Sequence, residues 1–212
     1  MSLIFLIFST KTIDKQDIIR FVLAGFIGIF FYNLFLNTGQ QTVSAGASSF
    51  IVNCNPLFAS LIGFYILKQK VKRFFWFGIL GCIVGIFIIS FETYEKFTFN
   101  IGVMYILIAA ILTSSYFHII KPLVNKYGAL TTFSFTLFFG TAPMLFWVSD
   151  VYSVITIASS ETLFAMLWLS MICTLLGYYT WTYSVGFFGA NKASFFLFLI
   201  PVVSIIIDFI IF

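Results

Sequence analysis

A chain of 212 residues with 61% hydrophobic, 21% aromatic and only 8% charged residues cannot wet the outside of a water-soluble globule, which carries about 25% charged residues. Eleven basic and seven acidic residues over 24.1 kDa, with a mean hydropathy of +1.10, exclude a soluble enzyme, a disordered chain and a nucleic-acid binder. The net charge of +4 is gathered between apolar runs, so it points to a lipid bilayer as partner and not to a polyanion.

A bilayer core of about 30 Å needs roughly 20 apolar residues in helical form. Seven segments qualify: 21–39, 43–67, 74–91, 101–120, 130–149, 162–185 and 190–212. None alternates polar and apolar residues as a membrane barrel strand would. The expected class is therefore an all-α, polytopic helical bundle. The run Leu3 to Phe8 is too short to span and reads as the end of a helix.

Taken in chain order, the first span carries Tyr32, Asn33 and Asn37. The second sets Ser48, Ser49, Asn53 and Asn55 around Pro56, with Ser44 four residues before Ser48, and the prolyl nitrogen offers no donor to the Val52 carbonyl. Polar side chains in hydrocarbon face a cavity or a partner helix, so Ser49, Asn53 and Asn55 are candidate substrate ligands. The alternative is that the serines let helices approach while the asparagines bond across to a neighbour. The third span repeats small residues at Gly78, Gly81 and Gly85, candidate helix-packing positions. The fourth offers Thr113, Ser114 and Tyr116, followed by His118, the only histidine, one turn before Lys121 and Pro122. At that position His118 is expected to snorkel to the interface. The sixth places Thr174, Tyr178 and Trp181 on one helical face, with Tyr179 and Tyr183 beside it; the first three, with Tyr32, Asn33 and Asn37 of the first span and Thr113 and Tyr116 of the fourth, are further candidate substrate contacts, packing being the alternative. The seventh contains Pro201 and, seven residues later, Asp208, the only acid inside a span and a candidate for proton coupling. Cys54, Cys82 and Cys173 all sit in apolar runs and read as small buried hydrophobes.

The charges set the sidedness. Ten of the eleven Lys and Arg residues fall at alternate connections: 9–20, 68–73, 121–129 and 186–192. These loops are expected to be cytoplasmic. Glu92, Glu95, Asp150 and Glu161 collect on the other side.

The chain also repeats itself. A shift of 145 residues lays 42–67 on 187–212, pairing Ala45 with Ala190, Ser49-Phe50 with Ser194-Phe195, Pro56 with Pro201 and Phe64 with Phe209. The copies are separated by an odd number of spans and so cross the membrane in opposite senses. Inverted repeats with breaks in matching helices point to a secondary transporter.

The stretch 42–90 resembles the drug/metabolite transporter superfamily, EamA-like branch, in SAGASSF (44–50), Pro56, the turn Lys68-Gln69-Lys70, and Gly78, Gly81 and Gly85. Residues 174–203 are similar to the corresponding part of the second repeat, and Gln69 stands where the family commonly has Glu. The resemblance implies ten helices in two inverted five-helix repeats. The seven spans would be the family's third to ninth helices, with 1–91 a truncated first repeat and 101–212 a truncated second. It further implies alternating-access transport of a small organic metabolite (amino-acid-like, nucleotide-related or drug-like) across the bacterial inner membrane, with no cofactor. A homodimer or a complementing fragment is an expected partner, and the rival reading is a remnant or partial subunit that transports nothing.

Enzyme chemistry has little to work with. No GxxxxGK phosphate loop, GxSxG serine elbow or HExxH zinc motif occurs, so neither an ATPase engine, a hydrolase nor a metal centre is expected.

Overall fold

The computed structural model describes residues 13–66, 68, 74–90, 100–148 and 155–198. These residues are overwhelmingly helical, and no strand occurs among them. Helix α1 runs from Lys15 to Gln40 and includes a π-helical turn at Phe26–Phe31. It is followed by α2 (Ala45–Asn53), α3 (Asn55–Tyr65), α4 (Phe74–Ser90) and α5 (Ile101–Tyr127). Then come α6 (Ala129–Thr141, continued as a 3-10 turn Ala142–Trp147), α7 (Ser160–Phe188, with a second π turn at Leu169–Thr174) and α8 (Ala190–Phe195). Five helical stretches are long and apolar enough to cross a membrane: Lys15–Gln40, Gly46–Tyr65, Ile101–Tyr127, Ala129–Trp147 and Ser160–Phe188. The chain is a polytopic, all-α membrane protein.

The spans are longer than hydropathy alone suggested. Helix α1 starts at Lys15 and α5 continues through Pro122 to Tyr127, so much of 9–20 and 121–129 is helix and not loop. Hydropathy marks where hydrocarbon ends, whereas a helix continues for as long as its carbonyls find donors. The second span is broken: Cys54 ends α2 and starts α3, with Pro56 in the first turn of α3, where its missing N–H is harmless. Ser44 caps α2 by accepting from Ala47 N at 3.3 Å, and Ser159 caps α7 by accepting from Thr162 N at 3.3 Å. Single glycines join α5 to α6 and α7 to α8; Gly128 has φ 88° and ψ 164°, and Gly189 has φ 86° and ψ 157°. That backbone region is essentially closed to residues with a Cβ.

The chain divides into two compact units, Met1–Phe30 with Ile119–Phe187, and Phe31–His118 with Phe188–Phe212. In the first unit, the opening half of α1 lies along α6, with the Phe21 ring tilted against that of Phe135, centroids 5.3 Å apart, and Ile29 in a cluster with Phe133 and Leu137. The closest approach is at Gly25 and Gly140, where a Cβ on Gly25 would sit 2.7 Å from both Gly140 N and Thr136 O. Only two hydrogen-bearing α-carbons let backbones approach this closely. Phe21 meets Phe135, Gly25 meets Gly140 and Phe30 meets Trp147, so α1 and α6 run in the same direction.

In the second unit the end of α1 crosses the start of α5 at another glycine pair. A Cβ on Gly39 would lie 2.7 Å from Gly102 O, and one on Gly102 would lie 2.8 Å from Gly39 O. Asn100 locks this corner: its Oδ1 accepts from Gly102 N at 2.8 Å and from the Thr42 hydroxyl at 3.0 Å, while its Nδ2 donates to Thr42 O at 2.8 Å. Val43, Ile51, Val103 and Ile106 form the core between α2 and α5. Helix α4 returns antiparallel to α2 and α3, with Trp76 edge-on to Phe64 and Gly85 against the Phe50 ring. Helix α8 packs on α3. Large apolar side chains such as Phe77, Phe87, Phe146 and Leu176 face outward, as a lipid solvent requires.

Candidate substrate site at a helix break

The sequence places four polar side chains around Pro56, and the structure separates them into two kinds. Ser49 is exposed, and its hydroxyl accepts from Asn53 Nδ2 at 3.3 Å, so these two candidates satisfy one another within a turn of α2. Asn55 is 2% exposed, and its main-chain carbonyl accepts from the Ser114 hydroxyl of α5 at 3.2 Å. Its side-chain oxygen meets no donor among the described residues. The buried hydroxyls of Ser48 and Thr113 are in the same condition. Leaving a buried polar group unpaired costs about 1–3 kcal/mol, so three within one unit is a costly arrangement for packing alone.

A second bond fixes the height at which α3 and α5 meet. His118 Nε2 lies 2.8 Å from the Ala59 carbonyl, which can only accept, so this nitrogen carries the proton. His118 therefore turns into the α3 contact, and the expectation that it snorkels is corrected. Asn55 pairs with Ser114 and Ala59 with His118, each 59 residues apart. The two helices thus run parallel, side by side, and Thr113 sits at the level of the break. No acid or base occurs in α2 or α3, and His118 is the only titratable side chain in α5 before Lys121 apart from tyrosines. The seam offers amide and hydroxyl oxygens in an apolar surround.

The other candidates lie as follows. Tyr32 and Asn33 are half-buried and Asn37 is exposed, all on the last turns of α1; Tyr116 is buried on α5, its ring 6.2 Å from that of Phe117. In the first unit, Thr174 donates its hydroxyl to Leu169 O at 2.9 Å, which ties it to its own π turn. Tyr178 packs with Leu175 and Met144 against Ile29, Phe133 and Leu137, and Trp181 is half-buried on the same helix. Of the three glycines in α4, Gly85 meets the Phe50 ring and Gly78 would place a Cβ 3.3 Å from Leu57. Gly81 has no described atom within 4 Å, so it is not a close-packing position among the described residues. Pro201 and Asp208 lie outside the described residues.

One charged cluster escaped the sequence reading. Asp17, 4% exposed in the first turn of α1, accepts from Tyr127 OH at 2.7 Å, from Lys126 Nζ at 2.5 Å and from Arg20 Nη1 at 3.1 Å. Lys126 also reaches Asp14 at 2.5 Å, and Asp14 N donates to Tyr127 OH at 3.2 Å. Three donors satisfy the buried carboxylate and tie the start of α1 to the end of α5. The available signal was an acid three residues before Arg20 within a basic cluster.

Comparison with known proteins extends this picture. The model of the EamA-like transporter family matches residues 1–91 and 100–212. The chain is 31% identical to the uncharacterized transporter YdfC of Bacillus subtilis (strain 168), over 92% of its own length and 64% of the relative's. It is 26% identical to an uncharacterized transporter of Archaeoglobus fulgidus, over 92% and 70% of the two chains. It is 24% identical to a probable terminal-alkyne amino-acid exporter of Streptantibioticus cattleyicolor, over 92% and 65%. The chain thus spans 64% of the length of the Bacillus relative. No solved structure matches it.

Proposed function

From the premise that this chain belongs to the EamA-like transporter family, we propose that it carries a small organic molecule across the bacterial plasma membrane by alternating access. The supporting observation is the seam at the break in the second span, where Asn55 and Thr113 bury oxygens that no group among the described residues satisfies, with the Ser48 hydroxyl in the same condition two turns earlier in α2. A substrate with hydrogen-bond donors would complete them, and the lack of charged side chains in α2 and α3 favours a neutral or zwitterionic one. The name of the Streptantibioticus relative makes amino-acid-like compounds the first to try.

The two stretches that the family model matches, 1–91 and 100–212, support a reading as two repeats, whose inverted topology rests on the odd number of spans between the matching helices. The start of α2 at Ala45 and of α8 at Ala190, which is the 145-residue offset of the sequence repeat, supports the same reading. The Lys- and Arg-rich ends, including 9–20 and 121–129, are placed in the cytoplasm on charge grounds. Tyr32, Asn33, Asn37, Ser49, Asn53, Tyr116, Thr174, Tyr178 and Trp181 remain proposed substrate contacts, and Asp208 a proposed proton-coupling group.

The test is flux in proteoliposomes containing the purified chain, with a panel of labelled neutral amino acids. Saturable flux that Asn55→Leu reduces at least tenfold, with the variant still folded, is expected. Flux no greater than in empty liposomes across the panel, or flux indifferent to Asn55→Leu, would refute the assignment.

A further inference from the structure

Helix α1 is continuous from Lys15 to Gln40, yet its middle, Phe26–Phe31, is a π turn. A π turn holds one residue more than an α turn needs, is rare, and is frequent at functional sites. Three observations make this one unusual. First, the boundary between the two compact units falls inside it, between Phe30 and Phe31. Second, it lies between the two glycine contacts of α1, with Gly25 against Gly140 immediately before it and Gly39 against Gly102 after it. Third, α7 holds another π turn of six residues, Leu169–Thr174. It begins at 169 where the first begins at 26, an offset of 143. This lies within two residues of the offset at which α2 and α8 begin, Ala45 and Ala190.

We propose that the π turn Phe26–Phe31 is a hinge through which α1 passes between two registers, and that Leu169–Thr174 is the matching hinge of α7. The surplus residue moves along a helix by exchanging one carbonyl acceptor at a time, so no backbone donor is left unpaired for long in lipid. Each residue it passes turns by about 100° and shifts by about 1.5 Å. Tyr32 and Asn33 directly follow the first turn, and Tyr178 and Trp181 follow the second. Movement of the surplus residue would therefore re-aim both sets of polar side chains while the glycine contacts hold. In the second turn, Thr174 Oγ1 donates to Leu169 O five residues back, which stabilises the π register in the observed state.

The hinge has a direct test in the deletion of Ile27. Removing one residue restores α geometry while keeping Gly25 and Gly39 opposite Gly140 and Gly102. Spin labels at Ile19→Cys, before the turn, and at Leu34→Cys, among the residues that the surplus residue would pass and turn, lie about 22 Å apart at helical rise in a chain whose three cysteines are replaced by Ala. Both positions are exposed. Double electron–electron resonance in lipid nanodiscs should give two distance populations, separated by several ångströms, in the chain with its natural length. One narrow population is expected in the deletion variant. A single narrow population in the undeleted chain would overturn the proposal, as would the same two populations persisting after deletion. If the deletion variant does not fold, the undeleted chain decides alone. Labels at Glu161→Cys and Leu176→Cys with deletion of Ser170 repeat the test on α7. No readout uses transport, so failure of the flux assay would leave the hinge standing, and the reverse holds too.

Discussion

Gly25→Ala is the substitution whose cost the structure defines best. The added methyl would meet Gly140 N and Thr136 O at 2.7 Å, against 3.4 Å or more in ordinary contacts. Both atoms are backbone, so no side chain can rotate away. Helices α1 and α6 must part by about 0.7 Å, which loosens Phe21 on Phe135 and Ile29 on Phe133 and Leu137. Overpacking of this kind costs about 1–3 kcal/mol, set against about 1 kcal/mol that Ala gains over Gly in a helix interior. The expected net loss is therefore about 0–2 kcal/mol, so Gly25→Ala should be clearly less stable than an alanine placed where the helix has room. Titration of the protein from mild detergent into SDS, followed by circular dichroism, measures it. Gly140→Ala should cost a similar amount, because its Cβ would lie 2.5 Å from Ile29 Cβ and 2.7 Å from Gly25 O. The double variant should cost less than the sum, since the first methyl has already separated the helices. Gly177→Ala is the control: nothing lies within 4 Å of its Cβ, so it should be neutral or stabilising. If Gly25→Ala proves as stable as Gly177→Ala, the close approach of α1 and α6 is wrong.

Three other outcomes are expected. Ser48→Ala and Thr113→Val keep shape but remove an unsatisfied hydroxyl; each should leave stability unchanged or raise it by about 1 kcal/mol in the same titration while lowering flux, and a clear loss of stability would argue that these hydroxyls are bonded. Gly128→Ala and Gly189→Ala force a methyl into backbone at φ 88° and 86°, and each should cost about 1–3 kcal/mol, unlike alanine at Gly46, which has open space. Asp17→Asn should lower the unfolding midpoint more than Asp14→Asn, because Asp17 is buried among Lys126, Arg20 and Tyr127 whereas Asp14 is exposed; equal effects would mean that the cluster is only a surface pair.

Much of the fold was legible because the properties that set it are one-dimensional. The length of an apolar run tells whether it crosses a bilayer, and charge accumulates at alternate connections whatever the helices touch. Ser44, Cys54-Asn55-Pro56, Gly128 and Gly189 also acted locally, through capping, a missing donor and backbone freedom. The site was less legible. Ser49, Asn53 and Asn55 look equivalent in the sequence, yet two of them bond each other and the third is buried with its side-chain oxygen unmet. Asp17 read as one charge in a basic segment because its partners, Lys126 and Tyr127, are more than a hundred residues away.

The sequence by itself thus determined that this is a helical membrane protein, roughly where the five long apolar helices of the described residues lie, and the family it resembles. Only the tertiary structure decided which glycines touch, which asparagine is left unsatisfied and where α1 and α7 take up an extra residue. The reason is rotational: around helices such as α4, α6 and the second half of α7, hydropathy is nearly the same on every side. The direction a side chain points is therefore set by the neighbour that packs against it and not by the pattern of its own segment.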